Sequence, residues 1–272
     1  MKPAVSGPDF GTGSGSDPGY GVRLAQDADD RIAAQRLRYS VFVEELGARG
    51  LSVDHDNRLE RDDLDPYFDH LLLIDRRRNA ADQDHVVGVY RLLPHDRADT
   101  LGSFYSDVEF DLSPLRRSGR RLVELGRSCV HRDHRRGAAM LHLWNGLARY
   151  VIERDLQILF GVASFHGTDV SAHAMALSWL HAHHLAPPGL RVTALTERAL
   201  DMDLLPAAQI DRSAALSAIP PLIRAYLRLG GFVGDGAYID HDFNTIDVCL
   251  ILDTATMSER AVDFYTRKNP RA

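Results

Sequence analysis

Val123-Glu124-Leu125-Gly126-Arg127-Ser128-Cys129-Val130, continued by His131-Arg132-Asp133-His134-Arg135-Arg136-Gly137-Ala138-Ala139, is the stretch that decides the fold. Leu122, Glu124, Gly126, Ser128 and Val130 alternate against Val123, Leu125, Arg127 and Cys129, the period of a strand. Beyond the charged turn, Met140, Leu143, Trp144, Leu147, Tyr150 and Val151 recur at helical spacing as far as Arg154. A strand therefore runs through a glycine-containing turn straight into an amphipathic helix. Free N–H groups at a helix N-terminus attract anions, and Gly137, Ala138 and Ala139 keep side chains away from an approaching phosphate. Glu124 and Arg127 lie three apart and nominally face opposite sides. A bulge near Gly126 would bring them together and free a backbone N–H to polarise a thioester carbonyl.

Upstream, Ile32, Leu37, Val41 and Leu46 predict a helix over Asp27–Leu46 that stops at Gly47. Leu51–Asp69 is acidic and aperiodic, the pattern of a functional loop. His70–Asp75 and His85–Pro94 are apolar runs on either side of a charged tract and predict a β-hairpin. Downstream, strands are expected over Leu156–Ala163, Leu190–Leu195 and Thr245–Leu252, and helices over Ser171–His184, Pro220–Leu229 and Ser258–Arg267. Antiparallel strands followed by strand–helix–strand indicate a mixed α/β sheet rather than a doubly wound one. Gly7–Gly21 is rich in Gly, Ser, Asp and Pro, so residues 1–21 are expected to be a disordered leader. Residues 22–267 are expected to form one domain, with 220–267 packed on it as a C-terminal helix–strand extension.

The 272 residues suffice for a full core, and the net charge of −6 argues against broad nucleic-acid binding. Two cysteines imply no disulfide framework and a reducing compartment. No apolar run approaches the ~20 residues needed to cross a bilayer, and no apolar signal segment is evident, so a cytoplasmic protein is expected. Basic residues nevertheless cluster, as Arg116, Arg117, Arg120 and Arg121 and again as Arg132, Arg135 and Arg136, which suits an anionic partner.

Arg38 sits mid-helix and Arg91 interrupts an apolar strand; charges in such places are seldom buried unless paired. With Asp54, Asp62, Asp65 and Asp69 they suggest a charged cleft for a zwitterionic amino acid, its carboxylate on arginine and its ammonium on carboxylate. His70 and Asp75 match a His-x4-Asp acyltransferase pattern, but on one continuous strand they face opposite sides. His131/His134 and His181/His183/His184 lack a convincing third ligand, so no metal is expected. Cys129 is read as a small core residue, not a nucleophile.

Arg38-Tyr39-Ser40-Val41-Phe42-Val43-Glu44-Glu45-Leu46-Gly47, the aspartates after it, Val87–Pro94 and Glu124–Arg127 resemble the acyl-homoserine-lactone synthases and their relatives in the GNAT superfamily. More specifically, Asp65–Leu71, Phe104–Leu112, Glu124–His131, Ala163–Asp169 and Gly234–Thr245 resemble the bacterial L-ornithine Nα-acyltransferases, the lyso-ornithine-lipid synthases. The resemblance covers about Val22 to Tyr265. It implies a GNAT-like, mainly antiparallel twisted sheet flanked by helices. It also implies a 3-hydroxyacyl donor on acyl carrier protein, whose phosphopantetheine thioester is co-substrate in place of a cofactor, and an ornithine acceptor. The lipid product would bring peripheral contact with the inner membrane. An N-acyl amino-acid or lactone synthase with another acceptor, and a non-catalytic carrier-binding module, are the alternatives.

Carried onto this chain, the resemblance gives Glu124, Arg127 and Ser128 as the catalytic group. Glu124 would take the amine proton, and backbone N–H groups near Arg127–Cys129 would hold the oxyanion. Phe42, Asp62, Asp65, Asp69, Ser164 and Phe165 fall to the acceptor side. Arg38 and Arg91 either hold the acceptor carboxylate or organise Asp62 and Asp65. Arg132, Arg135, Arg136, Gly137 and Ala138, with Arg116 and Arg120, fall to the phosphopantetheine and carrier. The superfamily's Gln/Arg-x-x-Gly-x-Gly/Ala loop is represented by His134–Ala139 without its leading residue, a departure that argues against simple acetyl-CoA use.

Overall fold

The computed structural model describes residues 19–136 and 138–257. Among the described residues its contacts divide the chain into two compact units, one built from residues 19–93 and Leu125–Asp155, the other from Pro94–Glu124 and residues 156–257.

The first unit opens on β1 (Tyr20–Leu24), so the end of the stretch read as leader is strand; it pairs antiparallel with β2 (Asp69–Asp75) from Tyr20↔Asp75 to Leu24↔Leu71. Between them α1 (Ala28–Arg38) is capped by Asp27, whose side chain accepts from the Asp30 N–H at 2.9 Å. The helix does not continue regularly to Leu46 as expected: Tyr39–Glu45 is a π-helical turn, closed by Gly47 at φ 75°. A short hairpin, Val53–Asp54 with Leu59–Glu60, gives the acidic loop its order. β2 pairs antiparallel with β3 (Val86–Pro94) across a register shift at Leu73/Ile74, the hairpin predicted from the two apolar runs. All nine residues of β3 are buried, Arg91 included. Next to β3 lies β4 (Leu122–Val130), followed by α2 (Ala139–Glu153). Leu143, Trp144, Leu147, Tyr150 and Val151 form the buried stripe of α2, as their spacing predicts.

In the second unit the start of β4 runs parallel to β5 (Ile158–His166), pairing Leu122↔Ile158, Val123↔Leu159 and Glu124↔Phe160. α3 (Val170–His184) follows, capped by Asp169. α4 (Pro221–Arg228) has proline in its first turn. The sheet continues antiparallel through β6 (Ala237–Asp240) and β7 (Thr245–Asp253), whose order is β5-β7-β6. β7 is buried along all nine residues and pairs with β5 over its whole length. β7 thus lies inside the sheet, flanked on both sides. The strand expected over Leu190–Leu195 is reduced to Thr193–Ala194. The helix expected over Ser258–Arg267 lies outside the described residues. Among the described residues the architecture is mixed α/β and mainly antiparallel, β4–β5 being a parallel pair, with helices flanking the strands. Among the described residues no helix is long and apolar enough to cross a membrane.

Gly146 explains how closely α2 approaches β1. A Cβ there would collide with Val22 Cγ1. Gly146→Ala gains up to ~1 kcal/mol of helix propensity but forces a stiff β-branched neighbour aside, at about 1–3 kcal/mol. The expected net is a lower thermal midpoint, restored in part by adding Val22→Ala; a midpoint raised by Gly146→Ala alone would show that the contact is slack.

Candidate active site

In the first unit Arg38 and Arg91 come together with acids from the loop, as their positions in apolar elements require. Arg38, wholly buried, grips Asp65 bidentately, Nη1 to Oδ1 at 2.8 Å and Nη2 to Oδ2 at 2.7 Å. Its Nε stands 2.6 Å from Glu60 Oε2. Arg91 Nη1 donates to both Asp62 oxygens at 2.7 Å and to Asp65 Oδ1 at 2.9 Å, with its guanidinium 4.1 Å from the Phe68 ring centre. Arg127 completes the set, Nε donating to Glu60 Oε1 at 3.1 Å and Nη2 lying 3.6 Å from Asp62 Oδ2. Three arginines thus neutralise three carboxylates. Gln35 Nε2 adds a donor to Asp65 at 2.8 Å.

Arg127, which reaches Glu60, has a left-handed backbone, φ 48°, an unusual conformation for a non-glycine residue. The bulge expected near Gly126 would bring it to Glu124, but the two have different partners, Glu60 for Arg127 and Tyr105 and Ser106 for Glu124. Burial alone raises a carboxyl pKa, yet Arg38 and Arg91 outweigh it and hold Asp65 far below the usual carboxylate range. Asp62 is lowered in the same way, against burial, by Arg91 and Arg127. Burial, then Arg38, pushes His70 down to about 4, so it stays neutral while its Nε2 donates to the Asp65 carbonyl at 2.9 Å. Burial lifts the Cys129 thiol to about 12, in keeping with its place among Leu72, Val86 and Val89.

The remaining first-unit candidates are dispersed. Asp69 accepts from the Tyr150 hydroxyl at 2.9 Å and pairs with Arg154, so it faces α2 and not the arginine network. Asp54 pairs with Arg61 at 2.8 Å near the surface. Phe42 packs at the edge of the α1–β2–β3 core, and Ser128 is half-buried. Arg135 donates to the Val130 carbonyl at 2.9 Å and to Glu45 at 2.8 Å, whereas Arg132 and Arg136 are exposed. Ala138 stands at the N-cap of α2 and offers no side-chain acceptor to the first-turn N–H groups. Gly137 lies outside the described residues.

In the second unit Glu124 is buried and its carboxylate is held by a turn that precedes its strand in the chain. Oε2 accepts from the Tyr105 N–H and Oε1 from the Ser106 N–H, both at 2.7 Å, and Ser106 Oγ donates to Oε1 as well. Arg116 is spent on Asp107 at 2.7 Å, and Arg120 on Asp253 at 2.6 Å, so these two are tied within the chain. Ser164 is exposed and Phe165 buried, its ring 5.3 Å from His173. Sequence reasoning missed two participants. Glu60 was one acid among many in the loop. The other is a carboxylate trio, Glu109, Asp240 and Asp247, whose oxygens lie within 4.8 Å of one another. Its one visible signal was Asp247 between Ile246 and Val248 in an apolar strand.

Acid should act on the arginine network in two stages. His70 has a folded pKa below its unfolded 6.5, so the unfolded chain takes up its proton first and stability falls as pH drops from about 6.5 toward 4. The effect amounts to roughly 3 kcal/mol at most. Asp65 and Asp62, also lowered, contribute stability above the unfolded carboxyl pKa of about 3.9 and lose it at still lower pH. Denaturant titrations of His70→Gln, which keeps a donor for the Asp65 carbonyl, should show a shallower first stage and an unchanged second, since His134 and His184 are lowered as well; an unchanged pH profile would exclude His70 as a source.

Residues 37–145, which hold Arg38, Asp65, Arg91, all of β4 and the start of α2, match the model of the acetyltransferase (GNAT) domain family. The L-ornithine N(alpha)-acyltransferase of Rhodobacter capsulatus is 61% identical over 249 residues, which cover 92% of this chain and 95% of that protein. The Brucella abortus protein of the same name is 40% identical over 246 residues, 90% of this chain and 88% of its own. Among solved structures, a CoA-dependent acyl-homoserine lactone synthase, BjaI, with SAM and isopentyl-CoA, shares the fold: TM-score 0.50 at 16% identity, covering 90% of this chain and 84% of that one. Identity at this level over nearly the whole of both chains means that this protein belongs to the L-ornithine N(alpha)-acyltransferase family.

Proposed function

We propose that the protein joins a 3-hydroxy fatty acyl group, delivered as a thioester on acyl carrier protein, to the α-amine of L-ornithine, giving lyso-ornithine lipid. The observation that carries this reading is the 61% identity over 95% of the length of an L-ornithine N(alpha)-acyltransferase. The α-amine attacks the thioester carbonyl, the new C–N bond forms as the C–S bond breaks, and the pantetheine sulfur leaves as thiolate. An α-amine has a pKa near 8, so the base has a modest task, and the proton released ends on Glu124 or on a water it holds. The left-handed turn at Arg127 supports an oxyanion role for the adjoining backbone N–H groups, since it takes that segment out of regular strand geometry. Arg38 and Arg91 act by organising Asp62 and Asp65, to which their donors are committed. The bare N-cap at Ala138 and the exposed Arg132 and Arg136 support a phosphopantetheine phosphate at the start of α2.

Glu124→Gln should lower kcat by about 10²–10⁴ and remove the acidic limb of the pH–kcat profile. The alternative is that Glu124 only anchors the loop through Tyr105 and Ser106. A variant that raises the ornithine KM but keeps the profile's shape would make Glu124 an anchor and overturn its role as base.

Arg132→Glu/Arg136→Glu should raise the KM for the acyl-carrier donor and spare that for ornithine, with the effect shrinking as salt is added. An unchanged donor KM at low ionic strength would exclude this as the carrier's docking face.

A further inference from the structure

The acidic trio of the second unit is built on one face of its sheet. Residues directly opposed in an antiparallel ladder share a face, as do residues two apart on a strand. Thr245 lies opposite Asp240 on β6 and His166 on β5, and Asp247 lies opposite Ser164. Asp240, Thr245, Asp247, Ser164 and His166 therefore project together, and Glu109 brings its carboxylate to Asp240 and Asp247. Glu124 shares this face through its pairing with Phe160, four residues before Ser164. Glu109 follows closely on the loop residues that hold Glu124, Tyr105 and Ser106. Cys249, two residues beyond Asp247 on the same face, has its thiol raised by burial and then by Glu124 and Glu109, which puts both carboxylates in its neighbourhood.

A second observation points to a ligand. Thr245 is 8% exposed, and its buried Oγ1 has no hydrogen-bond partner among the described residues, although it stands beside the trio. A buried hydroxyl left without a partner is costly. Ser164 and His166, exposed on the same face, leave that face open to solvent at its edge.

The trio's geometry suits a protonated primary amine. The trio's oxygens lie within 4.8 Å of one another, and the three N–H donors of such an amine at hydrogen-bond distance reach acceptors about 4.6 Å apart. We infer that Glu109, Asp240 and Asp247, with Thr245, form the subsite for the side-chain ammonium of the acceptor. This inference rests on the ornithine reading above. Held charged by carboxylates, the δ-amine has no lone pair with which to attack, and only the α-amine is acylated. The subsite would thus set both acceptor choice and regiochemistry.

The test compares L-ornithine with L-norvaline, which has the same carbon chain without the δ-amine, using the acyl-carrier thioester as donor. Wild type should favour ornithine in kcat/KM by roughly tenfold or more, the scale of a charged hydrogen bond. Asp247→Asn and Glu109→Gln should collapse that ratio toward one, and some product should carry the acyl group on the δ-nitrogen by fragment mass spectrometry. Asp240→Asn, at the half-exposed member, gives the same readout if a buried variant does not fold. Wild type that acylates both amino acids equally, or variants that keep the wild-type ratio, would overturn the subsite and leave the acyltransferase reading intact. Loss of activity on chelation, restored by a divalent cation, would overturn it in favour of a metal site. Wild type that acylates neither amino acid would sink the ornithine reading and the subsite with it.

Discussion

Arg38 and Asp65 meet where almost no water reaches them, and much of the first unit is arranged around keeping them together. A buried guanidinium without its carboxylate is strongly destabilising, by about 3–5 kcal/mol in broken pairs generally. The pair therefore dictates its surroundings. α1 must present Arg38 inward, and the loop must fold back through the Val53–Glu60 hairpin to deliver Glu60 and Asp65. β3 must carry a charge through a wholly buried strand so that Arg91 can serve Asp62 and Asp65 together. The left-handed backbone at Arg127 belongs to the same arrangement. A non-glycine residue at positive φ costs of order 1–3 kcal/mol, and the contact with Glu60 is what that conformation secures.

This network orders a segment with no periodicity of its own. Residues 51–69 contain little regular structure, yet Glu60, Asp65 and Phe68 are buried. Hydrophobic burial does not organise the segment by itself; the arginines do. Glu124 plays the same part in the second unit, where its carboxylate gathers the backbone N–H groups of Tyr105 and Ser106 and so fixes the chain leading to Glu109. In both units buried carboxylates hold irregular backbone that apolar packing would leave loose.

How much of this was legible in the sequence follows from what each residue had to be. The β2–β3 hairpin and the β4–α2 unit were readable because burial imposes a period. Arg38 and Arg91 were readable for the opposite reason: a charge inside an apolar element announces a partner, although not which one. Glu60 was hidden because the loop holds many acids and only the fold distinguishes the buried ones. Asp69 looked like its neighbours but turns to Tyr150. Arg116 and Arg120 looked free because sequence counts charges and cannot see Asp107 or Asp253 beside them. β1 was missed because its five residues follow a glycine-rich stretch and depend on β2 for their pairing. The π-helical turn left no mark, since its residues suit an α-helix equally well.

The two charged clusters differ in what they ask of the protein. The arginine network balances three cations against three anions, so it is complete within the chain and its effect is stability. Three carboxylates gathered on a sheet face are different, because like charges brought close disfavour one another's ionised form. Apolar residues on β6 and β7 would serve packing better than Asp240 and Asp247. Departures from good packing that persist in a folded chain concentrate where function requires them. On that reasoning the arginine network builds the protein, and the inferred ammonium subsite gives a reason for the carboxylate trio.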